Sequence, residues 1–158
     1  MKNGKKDTLP LHIFYTYFSP YTAHAIEVDG VVYPTVEHAY QCMRYTDQNI
    51  KDEIRNARSP VKAWEISEKY KQDKYKDFQK PVFRPHKREI MKQLMRAKAD
   101  QHEEVRKALL DSGDLRVVKH IDTYPPGDGF WDDGPDGKGE NQMGKIWMEI
   151  REELRKNP

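Results

Sequence analysis

The pattern of apolar and polar positions divides the chain into a short strand-rich beginning and a longer helical remainder. Residues 11–18 are dense in β-forming side chains and predict a strand with apolar residues on both faces. Two further β-forming runs, 26–28 and 31–33, flank Asp29-Gly30, a dipeptide that favours a two-residue hairpin turn. The sequence therefore predicts a small antiparallel sheet that precedes the first helix.

The first helix is predicted to begin after Pro34, with Thr35 as its N-cap and Glu37 near the positive end of its dipole. One face of this helix is apolar, and it is formed by Val36, Ala39, Tyr40 and Met43. Glu37, Gln41 and Arg44 form a stripe along the border of that face. On this pattern alone Glu37 complements the helix dipole, and a catalytic carboxylate is the alternative.

Helical spacing recurs through most of the remaining chain. It predicts helices at 50–57, from Pro60 onward, at 86–110 with an interruption near Ala99, and at 142–155. Ser59-Pro60 adds an N-cap followed by proline at the first helical position. Residues 69–80 are charged and aperiodic and predict a solvated connection, whereas residues 115–120 predict a short extended segment.

Length and composition favour one mainly α (α+β) domain over residues 11–156, preceded by a flexible tail of residues 1–10. The formal net charge of +2 implies no bulk attraction to nucleic acid or to a membrane surface. Cys42 is the single cysteine, so an internal disulfide is excluded. Because no targeting segment or membrane-length apolar run is found, we expect an intracellular protein, cytoplasmic or nuclear.

Residues 122–141 form a long loop rich in glycine and aspartate, a kind of segment that is either functional or disordered. Phe130 and Trp131 favour the functional alternative, because large aromatic side chains need a surface to pack on. The amides of residues 134–139, together with Lys138, could hold phosphate. The acidic spacing does not match a calcium-binding loop and the histidines lack paired zinc-ligand spacing, so we predict no metal and no cofactor.

Residues 26–41 (IEVDGVVYPTVEHAYQ) resemble the signature of the NADAR, or YbiA-like, family. Four more segments agree in the same order, so that the match runs from about Tyr17 to Leu154: Ile54-Arg55 through Ser59-Pro60, Met95-Arg96-Ala97-Lys98 with Gln101, residues 111–115, and residues 130–145. The resemblance implies a compact, mainly helical fold with a small β portion. It also implies an N-glycosidase.

Two substrates follow from this resemblance. The first is ADP-ribose attached to guanine bases in nucleic acid, and the alternative is a phosphorylated ribosylaminopyrimidine intermediate of riboflavin synthesis. A basic rim on the predicted 86–110 helix gives weak support to the first substrate, and it consists of Lys87, Arg88, Lys92 and Arg96. A non-catalytic module that binds ADP-ribose or a nucleotide is an alternative of a different class.

The resemblance places the essential glutamate of the family at Glu37 and a second catalytic carboxylate at Asp133. The predicted substrate-binding residues are Ser19, Gln41, Arg44, Phe83, Trp131, Gly134, Lys138 and Asn141. Four positions depart from the family pattern: Pro20 replaces an asparagine, Phe83 a tryptophan, Asp132 a glycine and Arg44 a lysine. Arginine keeps the charge of lysine but cannot act as a neutral amine nucleophile.

Overall fold

The fold is described by a computed structural model that covers residues 10–13, 17–121 and 128–158. Apart from residue 10, the predicted tail lies outside the described residues, as do residues 14–16 of the predicted strand and residues 122–127 of the predicted loop. The chain is mostly helical with a small β portion, which confirms the predicted mainly α (α+β) class.

Contacts along the chain define two compact units, and each is described by itself. The central unit is residues 20–106, and the terminal unit is residues 1–19 with 107–158. The prediction of one domain over residues 11–156 stays a prediction. The elements of the central unit are strands β2 (Ile26–Val28) and β3 (Val31–Tyr33), helices α1 (Val36–Cys42), α2 (Gln48–Arg55) and α3 (Pro60–Tyr70), a 3-10 helix (Asp73–Phe78), and helix α4 (Phe83–Gln101).

Strands β2 and β3 form the antiparallel hairpin that the Asp29-Gly30 dipeptide predicts. Val28 pairs with Val31, and the two residues between them have positive φ angles, 50° at Asp29 and 76° at Gly30. Such angles match the right-handed twist of the paired strands and are readily adopted by aspartate and glycine. This part of the sequence analysis is confirmed.

Helix α1 begins at the predicted cap. The Thr35 hydroxyl accepts a hydrogen bond from the His38 backbone amide at 3.2 Å and lies 2.8 Å from the His38 Nδ1 atom. Because the Ala57 carbonyl can only accept, the His38 Nε2 atom 3.0 Å away donates to it, and Nδ1 accepts from Thr35. Burial lowers the pKa of His38, although the bond to Ala57 opposes this shift. His38 is therefore a neutral residue that connects the start of α1 to the chain after α2.

Every residue of α1 is buried, and the helix packs against α2, α3, α4 and β3. Cys42 lies on this helix, where its thiol donates to the Lys51 carbonyl and burial raises its pKa to about 12. A thiol held in its neutral form is a poor nucleophile. Cys42 is therefore a packing residue.

The prediction that a helix begins at His86 was wrong, because α4 begins at Phe83. Pro85 is then the third helical residue, where a missing N–H removes no hydrogen bond, since the first four amides of a helix lack intrahelical partners. The predicted interruption lies at His102, whose extended backbone separates α4 from helix α5 (Glu103–Asp111). Helix α5 crosses the boundary between the two units.

Residues 69–80 are more ordered than the predicted solvated connection. They include the end of α3 and the 3-10 helix, and the chain that follows pairs with the segment after α1 through an antiparallel bridge between Tyr45 and Gln79. The Gln79 side chain also donates to the Tyr70 carbonyl at 2.9 Å. Tyr45 and Gln79 are far apart along the chain, so a local charge pattern could not predict the bridge between them.

In the terminal unit, β1 (Leu11–His12) pairs in parallel with β4 (Val117–Val118), and β4 packs against α6 (Gln142–Lys156). The helix predicted at 142–155 is confirmed. The strand predicted over residues 11–18 was wrong in its described part, because Tyr17 and Phe18 lie in a turn. The Phe18 carbonyl accepts a hydrogen bond from the Trp147 indole at 2.9 Å. This backbone carbonyl is thus bonded to a side chain and not, among the described residues, to a neighbouring strand.

Lys98 on α4 is buried, and its ammonium group donates to the Thr22 hydroxyl at 2.5 Å. Burial lowers its pKa from 10.5 to about 7, and Glu104 opposes this shift. The charged form is thus disfavoured in the folded protein relative to the unfolded chain.

Among the described helices, none is long and apolar enough to cross a membrane.

We expect Thr35→Ala to lower the free energy of unfolding by about 1–2 kcal/mol, because the change removes both the helix cap and the partner of His38 Nδ1. Urea unfolding followed by circular dichroism measures the effect. Thr35→Ser keeps the hydroxyl and should recover most of the loss. Equal stability of the alanine variant and the parent would contradict the capping role.

We also expect the stability of the parent protein, compared with that of Lys98→Met, to rise with pH between about pH 7 and pH 10. In this window the unfolded chain binds a proton at Lys98 that the folded chain has released, so the slope approaches about 1.4 kcal/mol per pH unit. Below about pH 7 both states are protonated and the difference should be flat. Urea unfolding at several pH values measures it, and a difference that does not change with pH would show that Lys98 keeps an ordinary pKa.

Candidate active site

Glu37 lies in the first turn of α1 and is only 6% exposed. Its backbone amide donates to the Pro20 carbonyl at 3.1 Å, and its Oε1 atom accepts from Gln41 Nε2 at 2.7 Å. The bond to Gln41 joins residues four apart, one turn along the helix, which is the spacing that the border stripe of α1 predicts. The helix thus holds a buried carboxylate in one orientation.

The charge of Glu37 affects the pKa values of two further residues of the central unit, Tyr21 and Lys71. Burial is the main cause that raises the pKa of Tyr21, and Glu37 raises it further. Burial lowers the pKa of Lys71, the bond with Glu68 and the charge of Glu37 oppose this shift, and Arg44 reinforces it. A phenol and an ammonium group therefore lie within electrostatic reach of the carboxylate. The sequence analysis missed both residues, since no periodicity links either of them to α1.

Arg44 follows α1 and stacks on aromatic rings. Its guanidinium carbon lies 4.4 Å from the centre of the Phe83 ring and 5.2 Å from the centre of the Tyr40 ring. Phe83 is only 3% exposed, and its ring meets Tyr40 edge to face at 5.1 Å. The structure therefore places the predicted stacking residue Phe83 against Arg44, where it fixes the direction of the guanidinium group.

Gln41 and Arg44 each have one polar atom that lacks a hydrogen-bond partner among the described residues. These atoms are Oε1 of Gln41 and Nε of Arg44, and both are buried. Buried polar atoms are normally hydrogen-bonded, and an exception needs a reason such as a bound ligand. An acceptor on Gln41 and a donor on Arg44 can serve the hydroxyl and anionic groups of a substrate.

A cavity of about 410 Å³ opens beside Arg44 in the central unit. Tyr45 and Phe83 supply part of its wall, and most of the remaining wall is charged. The charged residues that line it are Arg44, Lys71, Asp73, Lys76, Lys80 and Arg84.

The second predicted carboxylate, Asp133, belongs to the terminal unit and is buried. Its Oδ1 atom accepts from His120 Nδ1 at 2.8 Å. The same loop carries Trp131, whose half-buried ring meets Phe130 edge to face at 4.8 Å. His120 was not a predicted site residue, because no helix or strand spacing relates it to Asp133, 13 residues further along the chain.

Several predicted site residues of the glycine-rich loop form hydrogen bonds within the loop or with the β4 segment. The Gly134 amide donates to Asp132 Oδ1 at 2.9 Å, and the Lys138 amide donates to Asp136 Oδ1 at 3.0 Å. The Asn141 side chain donates to the Val117 carbonyl at 3.0 Å and accepts from the Lys119 amide at 2.9 Å. These contacts hold the loop to its own acidic side chains and to β4.

The close packing of this loop explains one of its glycines. A Cβ atom on Gly139 would lie 2.5 Å from the Asp132 carbonyl oxygen, so no larger residue fits without a backbone shift. The described part of the loop, residues 128–141, is therefore built to a fixed shape. This favours the functional alternative for the loop over disorder.

The predicted site residues thus fall into two sets. The structure brings Glu37, Gln41, Arg44 and Phe83 together in the central unit, while Ser19, Trp131, Asp133, Gly134, Lys138 and Asn141 belong to the terminal unit. Their roles toward a substrate stay predictions. Within the described ranges, no cluster of three histidine, cysteine or acidic side chains could hold a metal ion.

Comparison with known proteins agrees with this picture. The family model described as the NADAR domain matches residues 3–155. The N-glycosidase YbiA of Escherichia coli K12 is 36% identical over 140 residues, which cover 89% of this chain and 82% of that protein. A riboflavin biosynthesis protein of Vibrio vulnificus is 31% identical over 146 residues, which cover 92% of this chain and 36% of that protein.

The fold comparison points the same way. The solution NMR structure of Escherichia coli YbiA has a TM-score of 0.74 and 33% sequence identity, with 87% of this chain and 77% of that chain covered. The resemblance of residues 26–41 is therefore confirmed over nearly the whole chain. The chain belongs to the NADAR family and is an N-glycosyl hydrolase.

Proposed function

We propose that the chain hydrolyses the ribose–nitrogen bond of a phosphorylated ribosylaminopyrimidine of riboflavin synthesis. The observation that carries this proposal is Glu37, a buried carboxylate that accepts a hydrogen bond from Gln41 and lies within electrostatic reach of Lys71. The name of the Vibrio vulnificus relative supports the choice of substrate. The ranking therefore reverses that of the sequence analysis, which placed ADP-ribosylated guanine first.

The proposed reaction passes through an oxocarbenium-like species that is positive at C1′ and at the ring oxygen. The C1′–N bond breaks and its electron pair leaves on the nitrogen, which takes up a proton. A water oxygen forms the new bond to C1′, and Glu37 accepts the proton that this water loses. The carboxylate also stabilises the positive charge at C1′ before the water attacks.

Neighbouring residues position the groups of this reaction. Gln41 donates to Glu37 Oε1 at 2.7 Å and so orients the carboxylate that accepts the water proton in our proposal. Arg44 directs its guanidinium toward the anionic part of the substrate. Asp133, oriented by His120, is proposed as the second carboxylate and would hold ribose hydroxyls or protonate the departing base. Its place relative to Glu37 in the reaction stays a prediction.

ADP-ribosylated guanine is the second candidate substrate, and Trp131 favours it. The half-buried indole of Trp131 offers a ring face on which a purine can stack. The basic rim of α4 supports this candidate less than the sequence suggested, because Arg96 bonds Asp100 at 3.0 Å and Arg88 lies 3.7 Å from Glu89. Those charges are neutralised locally rather than directed to a polyanion.

We expect Glu37→Gln to lower kcat by about 100- to 10,000-fold, because the amide can neither accept the water proton nor stabilise the cationic sugar. Glu103→Gln is the matched control, since Glu103 is an exposed glutamate in the first turn of α5. This control removes a first-turn carboxylate that only complements a helix dipole, so the variant should keep the activity of the parent. Full activity of a folded Glu37→Gln protein would remove Glu37 from the mechanism.

The choice of substrate is tested by a paired assay. The purified protein is offered the phosphorylated ribosylaminopyrimidine and, separately, a guanine-ADP-ribosylated oligonucleotide, and release of the sugar is followed by liquid chromatography. We expect faster release from the pyrimidine. Faster release from the oligonucleotide would reverse the ranking, and calorimetric binding of ADP-ribose without turnover of either compound would favour the non-catalytic binding module.

A further inference from the structure

The cavity beside Arg44 has a strong excess of positive charge. Five cationic side chains line it against the single carboxylate of Asp73. The cations are Arg44, Lys71, Lys76, Lys80 and Arg84, and only Arg44 belongs to the site residues described above as predicted. Like charges gathered around one cavity repel each other, so the arrangement is unfavourable until an anion binds among them.

Long-range backbone contacts bring these residues together. The Lys80 amide donates to the Arg44 carbonyl at 2.8 Å, and the Thr46 amide donates to the Phe78 carbonyl at 2.8 Å. These bonds fix the 3-10 helix and the chain after it against the end of α1. The fold therefore fixes the backbone positions from which the cationic side chains line the cavity.

An alternative explanation is that these cations complement helix dipoles. This explanation fits Lys71 but not Arg84. Lys71 caps the C-terminal end of α3, where a cation is favourable. Arg84 has the opposite placement, because it lies in the first turn of α4, where a cation is unfavourable. That turn contains no acidic residue, and no side chain caps it. Both features are typical of a helix end that meets an external anion.

The neighbouring groups support the same conclusion. Arg44 lines the cavity with a buried Nε atom that has no partner among the residues described, while stacking on Phe83 fixes its orientation. Lys71 is bonded to Glu68, and the structure gives no ion-pair partner for Lys76, Lys80 or Arg84 within its described ranges. Lys71 also links the cavity to Glu37, because its pKa responds to that carboxylate.

We propose that this cavity is a phosphate-binding subsite, formed by Arg44, Lys71, Lys76, Lys80 and Arg84, that holds the phosphate on ribose C5′ while Glu37 acts at C1′. This inference rests on the proposed function for the identity of the ligand. It assigns the phosphate to the central unit and not to the glycine-rich loop. The chemistry is shared by a terminal phosphate and by the diphosphate of ADP-ribose, because both are attached to C5′ of the ribose that would be cleaved.

Direct binding measurements test the subsite without relying on turnover. Ribose 5-phosphate, inorganic phosphate and ADP-ribose are titrated by calorimetry into the parent and into a Lys80→Gln/Arg84→Gln variant. We expect the variant to bind ribose 5-phosphate at least about tenfold more weakly, because each lost charge removes a charge-assisted hydrogen bond. A Lys62→Gln/Lys156→Gln variant loses the same charge at exposed positions outside the cavity and should bind as the parent does.

The outcomes separate the two phosphate sources. Weaker binding of ribose 5-phosphate and of inorganic phosphate by the variant identifies a site for a terminal phosphate. Weaker binding of ADP-ribose alone identifies a site for a diphosphate. Equal affinity of the cavity variant and the parent for all three compounds, with both proteins folded, would overturn the proposal.

Failure of the proposed function gives a different result. A protein that binds ribose 5-phosphate in this cavity but hydrolyses neither substrate would keep the subsite and reject the reaction. A protein that hydrolyses the pyrimidine with the same KM in the parent and the cavity variant would keep the reaction and reject the subsite.

Discussion

Helix α1 is buried along its whole length, so each polar side chain on it needs a partner inside the protein. His38 satisfies this constraint with Thr35 and Ala57, and these bonds connect the helix to the chain on both sides. Glu37 satisfies part of it with Gln41, one turn further along. The packing of α2, α3 and α4 around α1 is therefore also what holds the candidate catalytic carboxylate in a fixed orientation.

The elements that the sequence predicts well are those with local causes. The Asp29-Gly30 turn, the Thr35 and Ser59 caps and the apolar face of α6 each depend on residues within a turn or two, and each is confirmed. The parallel pairing of β1 with β4 brings Leu11 opposite Val117, which is far away along the chain, and no local pattern encodes it. Periodicity also missed the true start of α4, because it treats every proline as a break.

The site could be predicted only in part, for a similar reason. Glu37 and Gln41 share a helix stripe, so their contact follows from spacing. The pairs Asp133 with His120 and Glu37 with Lys71 connect residues on different elements, and only the folded chain reveals them. The charges of residues 69–80 were visible in the sequence. Their convergence on one cavity was not, since most charged runs simply face solvent.

The bridge between Tyr45 and Gln79 has a consequence for how such a protein can diverge. It places exposed cations such as Lys76 on a surface segment, while the carboxylate stays on a buried helix. Substitutions at exposed positions usually change stability by less than about 0.5 kcal/mol, whereas truncating a buried side chain costs about 2–5 kcal/mol. Ligand preference can therefore drift through single surface changes over generations, while the residues that perform the reaction are held by the demands of folding itself.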